Sequence, residues 1–202
     1  MIVTQVRIGP RDRGRRMSLE EFASAQGAEG YRYELAQGEV VVVEIPGLPH
    51  GLIVQALHLH LRTYQQAHAD RVCYVAAGSD CALRLPGMKC ERHPDLSVYL
   101  TAAPEVDDPW DLWVPDLVAE VVSPGKDSHD RDYVEKREEY LAAGVREYWI
   151  VNPGCKRLTV LQRRGDRWQE CVPVLRHRTR LLPDFRLDLA ALLRVVSKRR
   201  GS

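Results

Sequence analysis

Apolar and polar positions change period several times along the chain, and each change predicts a different element. Ser18-Leu-Glu-Glu21 has the form of a capping box, with Ser18 as N-cap and Glu21 reaching back from the third helical position. A short helix to about Gln26 is expected, ended by Gly27 and Gly30. Tyr31, Tyr33 and Leu35 then alternate with polar residues, Gln37-Gly38 marks a turn, and Val40 to Ile45 is a β-branched run, which together read as a hairpin. From His50 to Ala67 the period becomes helical, with Leu52, Ile53, Ala56, Leu57, Leu61 and Tyr64 on one stripe.

Strand patterns follow at Arg71–Ala76, Asp80–Leu85 and Pro94–Leu100. A loop rich in Asp, Pro and Trp, Pro104–Pro115, leads to Asp116–Val122, an apolar run expected of a central strand covered on both faces. Asp130 to Ala143 reads as a second long helix, stopped by Gly144, with Tyr133, Arg137, Tyr140 and Leu141 on its buried face. Arg146–Val151, Arg157–Gln162 and Trp168–Val174 read as strands separated by turn signals, and Asp188 to Val195 as a closing helix. Strands paired by hairpins and then crossed by helices imply an α/β or α+β fold around a mixed sheet. There is no internal repeat or low-complexity linker, so residues 17–196 are read as one domain between a basic N-terminal arm, 1–16, and a basic C-terminal tail, 197–202.

Composition narrows the functional classes. With 202 residues, 45% of them hydrophobic, the chain supports one substantial core. No apolar run reaches the roughly 18 residues of a transmembrane helix, and MIVTQVRIGPRDRGRR carries charges where a secretory signal needs its apolar region. Five cysteines without paired close spacing read as free thiols, so a cytoplasmic protein is expected. Lys and Arg number 29 against 28 Asp and Glu, so any nucleic-acid surface has to be local. The basic ends are compatible with solvated termini and with arms that touch phosphate.

The chemistry concentrates between residues 94 and 140. Glu120 lies inside the most apolar strand, Leu117-Val-Ala-Glu-Val-Val122, where burial of a carboxylate costs several kcal/mol unless it is paired or binds a cation. Asp95 opens a neighbouring strand and can bring a second carboxylate to the same point. A hard divalent cation relieves the repulsion of two such groups. Taken singly, Glu120 is compatible with a buried ion pair and Asp95 with a turn. Lys136 stands at the border of its helix's buried face, with Asp132 one turn before and Tyr140 one turn after, compatible with a snorkelling surface residue or an ammonium aimed into the acidic cleft. His58 and His60 point to different sides of a helix, and Cys90 with His93 lacks the second pair a zinc site needs. Walker A, dinucleotide-binding and Gly-x-Ser-x-Gly signatures are absent from the sequence.

The chain resembles the PD-(D/E)XK nuclease superfamily and, within it, the Uma family of restriction-endonuclease-like proteins. The resemblance rests on Tyr33-Glu-Leu-Ala-Gln-Gly-Glu39, His50-Gly-Leu-Ile-Val-Gln-Ala-Leu57, Pro94-Asp-Leu-Ser-Val98 and Leu117-Val-Ala-Glu-Val-Val-Ser-Pro124. It continues through Asp132-Tyr-Val-Glu-Lys136, Tyr140 and Gly144-Val-Arg-Glu-Tyr-Trp-Ile-Val-Asn-Pro153. It implies a restriction-endonuclease-like core with flanking helices and a site in which Asp95 and Glu120 hold Mg²⁺ or Mn²⁺. The motif's lysine belongs two residues after the glutamate, where this chain has Val122, and the resemblance transfers that role to Lys136 on the following helix. It further implies supporting roles for Glu34, which would reach the metal through water, and for His50, Asp132 and Tyr140.

The expectation is a metal-dependent endonuclease acting on DNA, with Asp95, Glu120 and Lys136 as catalytic residues. The alternative is a catalytically degenerate nuclease fold serving as a nucleic-acid-binding or protein-interaction module. A homodimer is a further expectation, because cutting both strands takes two sites and the Trp-containing loop could form the interface.

Overall fold

The computed structural model describes residues 6–44, 46–173 and 176–197. β1 (Arg7–Ile8) pairs in parallel with β2 (Gln26–Gly27) around the intervening α1 (Leu19–Ala23). The capping box at Ser18 and Glu21 forms in full. β3 (Tyr31–Ala36) and β4 (Glu39–Glu44) make the expected hairpin, with Gln37 and Gly38 both at positive φ, 50° and 80°. Turns of this hand match the twist of the strands they join. α2 (Leu48–Ala67) buries Ile53, Leu57, Leu61 and Tyr64. Then come β5 (Tyr74–Ala77), β6 (Leu83–Leu85), β7 (Cys90–Arg92), β8 (Leu96–Tyr99) and β9 (Leu117–Val121). A long helix follows in three parts: α3 (Lys126–Asp130), a π turn (Arg131–Glu135) and α4 (Lys136–Ala143). β10 (Glu147–Asn152), β11 (Arg157–Arg164), β12 (Arg167–Cys171), β13 (Arg176–His177), β14 (Leu187–Asp188) and α5 (Leu189–Ser197) complete the chain.

The main sheet has the order β12-β11-β10-β9-β8-β5, with β9 and β10 parallel and the other neighbours antiparallel. This is the mixed α+β sheet the element order implied. β9 lies inside it and is covered on both sides. Leu117, Ala119 and Val121 face α2 and α5, in a cluster with Ile53, Leu57 and Leu192. Val118 and Val122 face the other way, towards Tyr140, Val145 and the β6–β7 hairpin. Each such aliphatic side chain contributes about 1.5–3 kcal/mol on leaving water, so β9 is firmly held and a rigid base for the side chain of Glu120.

Several boundaries depart from the sequence reading. The first helix ends at Ala23, because Gln26 and Gly27 bond to the N-terminal segment instead. That segment is part of the fold well before residue 17: Ile8 is buried beside Phe22 and Val42, and Gly14 N–H donates to Val40 O. The proposed tail lies outside the described residues beyond Ser197, as do Ile45 and Val174 at the ends of two expected strands. A second, four-stranded sheet, β4-β3-β7-β6, was not foreseen, since Cys90-Glu-Arg92 lacks an apolar alternation. The long helix starts at Lys126 and not Asp130. The tryptophans pack mainly inward: Trp149 is fully buried and Trp113 stacks on Tyr74, leaving Val106 and Leu112 as the exposed large apolar side chains of the Pro104–Pro115 loop. Among the described residues no helix is long and apolar enough to cross a membrane.

Candidate active site

The sheet register brings the two carboxylates together. Leu96 pairs with Ala119 in the antiparallel β8–β9 ladder, so Asp95, just ahead of β8, lies opposite Glu120. Asp95 Oδ2 accepts the Val121 N–H at 2.9 Å and lies 3.0 Å from His50 Nε2, while Oδ1 is 3.7 Å from an Arg32 nitrogen. Glu120 Oε2 accepts the Asp95 N–H at 3.3 Å. Its Oε1 accepts from Lys136 Nζ at 2.8 Å and from the Tyr140 hydroxyl at 2.6 Å. Both carboxylates and Lys136 are at most 5% exposed.

Lys136 opens α4 just after the π turn, four residues ahead of Tyr140 and so on the same face. Its own N–H bonds to the Arg131 carbonyl five residues back, and the extra residue in that turn rotates the helix register. Asp132, Lys136, Glu139 and Tyr140 face inward, whereas Tyr133, Arg137 and Leu141 are only partly buried. This corrects the buried face read from the sequence. Val122 is indeed on the same side of β9 as Glu120, packed into the apolar cluster with Tyr140. The ammonium arriving from α4 occupies the polar ground beside Glu120 in its stead.

Glu34 enters from β3 and is 2% exposed. Its Oε1 is 3.7 Å from Lys136 Nζ and its Oε2 accepts from Arg92 at 3.0 Å. Arg92 is completely buried and also grips Glu139 through two bonds of 2.7 and 2.8 Å and Glu135 at 3.2 Å. Arg92 and Glu139 tie the small sheet to α4 and hold Glu34 in place. The sequence reading missed both, because an arginine in a three-residue strand carries no periodic signal. Arg32 and Arg131 were also missed. Cys90 and His93 do not converge: the thiol donates to the Met88 carbonyl and His93 lies 3.3 Å from Glu91.

The electrostatics set the groups apart. Burial raises the Glu120 carboxyl to about 7, helped by Asp95 and Asp132 and opposed by Lys136. Burial acts on Asp95 as well, but the His50 bond, His50 and Lys136 charges and Val121 N–H hold it below its ordinary value. Lys136 keeps its proton more tightly than usual, since Glu120, Glu34 and Asp132 outweigh its desolvation. Asp132 is raised by burial, and its Oδ1 has no hydrogen-bond partner among the described residues.

These groups floor a cleft of about 700 Å³ whose rim includes Arg13, Arg32 and Arg131. Among its described lining residues, seven carboxylates face five lysines and arginines. No group of three His, Cys, Asp or Glu among the described residues is arranged to cage an ion unaided. Mg²⁺ does not require one, because it keeps several waters and binds through one or two carboxylates. Asp95 Oδ1 and the second lone pair of Glu120 Oε2 are free for that purpose, so the donor set fits a hard divalent cation.

Comparison with known proteins agrees with the architecture. A solved structure from Anabaena variabilis, described as "a putative nuclease belonging to DUF820", superposes with a TM-score of 0.71 at 15% identity. The match covers 89% of this chain and 99% of that one. No curated protein matches the chain. The model of the Uma2 family, described as "Putative restriction endonuclease", matches residues 19–193 and so takes in every strand and helix that contributes to the cleft. With the family model spanning nearly the whole sequence and the restriction-endonuclease-like fold in place, the chain belongs to the Uma2 family.

Proposed function

We propose that the chain is a nuclease that hydrolyses phosphodiester bonds of DNA with Mg²⁺ or Mn²⁺ held by Asp95 and Glu120. Family and fold are those of restriction-endonuclease-like nucleases. The observation that carries the finer assignment is the convergence of Asp95, Glu120 and Lys136, from three separate elements, on one cleft floor. The excess of carboxylates there repels a phosphodiester, so an anionic substrate requires a compensating cation.

Bound between the two carboxylates, the ion would polarise the scissile phosphate and lower the pKa of a water. His50 and the Val121 N–H hold Asp95 in its rotamer, and Tyr140 with Lys136 holds Glu120. Lys136, kept protonated by the surrounding carboxylates, is placed to offset negative charge building on the phosphate as it is attacked. Glu34, anchored by Arg92, lies 3.7 Å from the same ammonium and adds to the negative charge that keeps it protonated.

The test is cleavage of plasmid and single-stranded DNA with either cation by the wild type, Glu120→Ala and Lys136→Ala. Cleavage by the wild type, reduced at least about 100-fold in each variant, is expected. A wild type that binds the cation but cuts neither substrate would overturn the proposal. Val122, in the position of the superfamily lysine, favours a second reading: a module that binds nucleic acid or protein without cutting. Such a module holds DNA equally well with and without the cation, whereas the nuclease depends on it.

A further inference from the structure

The two arginines that flank the acidic cluster are in opposite states. Arg92, on the inner side, is saturated by Glu34, Glu135 and Glu139. Arg131, on the cleft side, is not. Its side chain is 17% exposed and lines the cleft, yet among the described residues its Nε is buried without a hydrogen-bond partner. The nearest acid is Asp132, whose Oδ1 lies 3.7 Å away, beyond hydrogen-bond distance, and is itself without a partner. Two oppositely charged groups thus sit side by side, both short of a bond, at the wall of an open cavity.

Leaving a buried charged donor unmade is costly, and native folds tolerate it chiefly where a ligand or water completes the set. Three carboxylates close on Arg92, whereas Arg131, where the π turn begins, has Asp132 alongside but beyond hydrogen-bond distance. What a guanidinium fork of this kind takes from a cleft is an oxyanion with two oxygens in one plane. Arg13 and Arg32 also line the cleft; Arg13 donates to the Val42 carbonyl, and Arg32, no closer to Asp95 at 3.7 Å than Arg131 is to Asp132, has no nitrogen buried without a partner among the described residues. Arg131 is the cleft arginine whose buried nitrogen lacks a partner among the described residues.

We infer that Arg131 is a substrate-binding residue that takes the non-bridging oxygens of a phosphodiester in the cleft, beside the carboxylates at its floor. The inference rests on the nuclease reading for the identity of that phosphate as part of a DNA strand.

The experiment pairs two readouts on wild type, Arg131→Gln and Arg131→Lys, with Arg178→Gln, an exposed arginine outside the cleft lining, as the charge-loss control. Binding of a short fluorescent DNA duplex is followed by anisotropy over a salt series, with Ca²⁺ replacing Mg²⁺ to suppress cutting, and cleavage is followed with Mg²⁺. Thermal melts establish that each variant is folded. Arg131→Gln is expected to bind about 10- to 100-fold more weakly, with the slope of log K against log salt smaller by about 0.9. Arg131→Lys is expected to keep the slope and lose part of the affinity, and the cleavage defect to fall mainly on KM. Wild-type affinity and slope in a folded Arg131→Gln overturn the inference whatever the cleavage result. A wild type that binds duplex through Arg131 but never cuts leaves the inference standing and removes the nuclease reading. A wild type with no affinity for duplex overturns both.

Discussion

Glu120 shows how one residue can be both readable from sequence and indifferent to its local surroundings. A carboxylate amid Leu, Val and Ala is anomalous on desolvation alone, and the fold meets the anomaly with Lys136 and Tyr140. The compensation is incomplete, since burial still lifts the carboxyl from 4.5 to about 7. A carboxyl raised in the folded state stabilises the protein fully below its unfolded value and loses that contribution as pH climbs through the folded value. Between pH 4.5 and about 7, wild-type stability in urea should therefore fall relative to Glu120→Gln, by up to about 3 kcal/mol. Saturating Mg²⁺ should remove most of that fall, because the ion binds the deprotonated form. A difference that does not change with pH would refute the assignment. Arg92 and Arg131 are the contrary case: their importance lies in partners from β3 and α4 or in the lack of them, and neighbours in sequence announce neither.

At the scale of elements, the π turn sets how Arg131 and Asp132 are presented to α4. The sequence pattern placed a helix over Asp130–Ala143 and named Asp132, Lys136 and Tyr140, but the reading put Lys136 at the edge and Arg137 inside, whereas Lys136 is buried and Arg137 partly exposed. Asp132 and Lys136 are on the inner face, and the additional residue in the turn sets how Asp132 lies relative to α4. Val134, 56% exposed within that turn, is the residue whose deletion should restore an uninterrupted α-helix with least harm to packing. Such a variant should keep its far-ultraviolet helical signal and lose cleavage by about 100-fold or more, since Arg131 and Asp132 would rotate away from Lys136. Full activity after the deletion would show that the bulge is incidental. The β7 strand makes the same point about sheets, because its three residues pair only where β6 and β3 are already in place.

On the scale of the molecule, the cleft exists because two sheets and a helix meet. The main sheet supplies Asp95 and Glu120, the hairpin sheet supplies Glu34 and Arg32, and the long helix supplies Lys136. Closing these charges together without a cation leaves net repulsion at the centre, so a bound ion should stabilise the whole fold. Mn²⁺ or Mg²⁺ at about 100 times its dissociation constant adds about 2.7 kcal/mol, a rise in melting temperature of roughly 5–10 °C for a chain of this size. Asp95→Asn should abolish the rise without lowering the ion-free melting temperature by a comparable amount. An equal rise in that variant would move the ion elsewhere.

What the sequence determined by itself follows from properties that need no partner. Apolar period placed the hairpin, α2, β9, α4 and α5 within a few residues, because each buries a face that its own pattern defines. A charge in an apolar run and a Pro-Asp at a strand start marked Glu120 and Asp95, because desolvation is costly wherever the strand ends up. Only the tertiary structure decided that His50 meets Asp95, that Arg92 is saturated and Arg131 is not, that residues 6–16 belong to the fold, and that Lys136 turns inward. Those outcomes depend on sheet register and on how the helix after β9 docks against the two sheets, both set by contacts between segments far apart in the chain, and such contacts leave no local trace in the order of the residues.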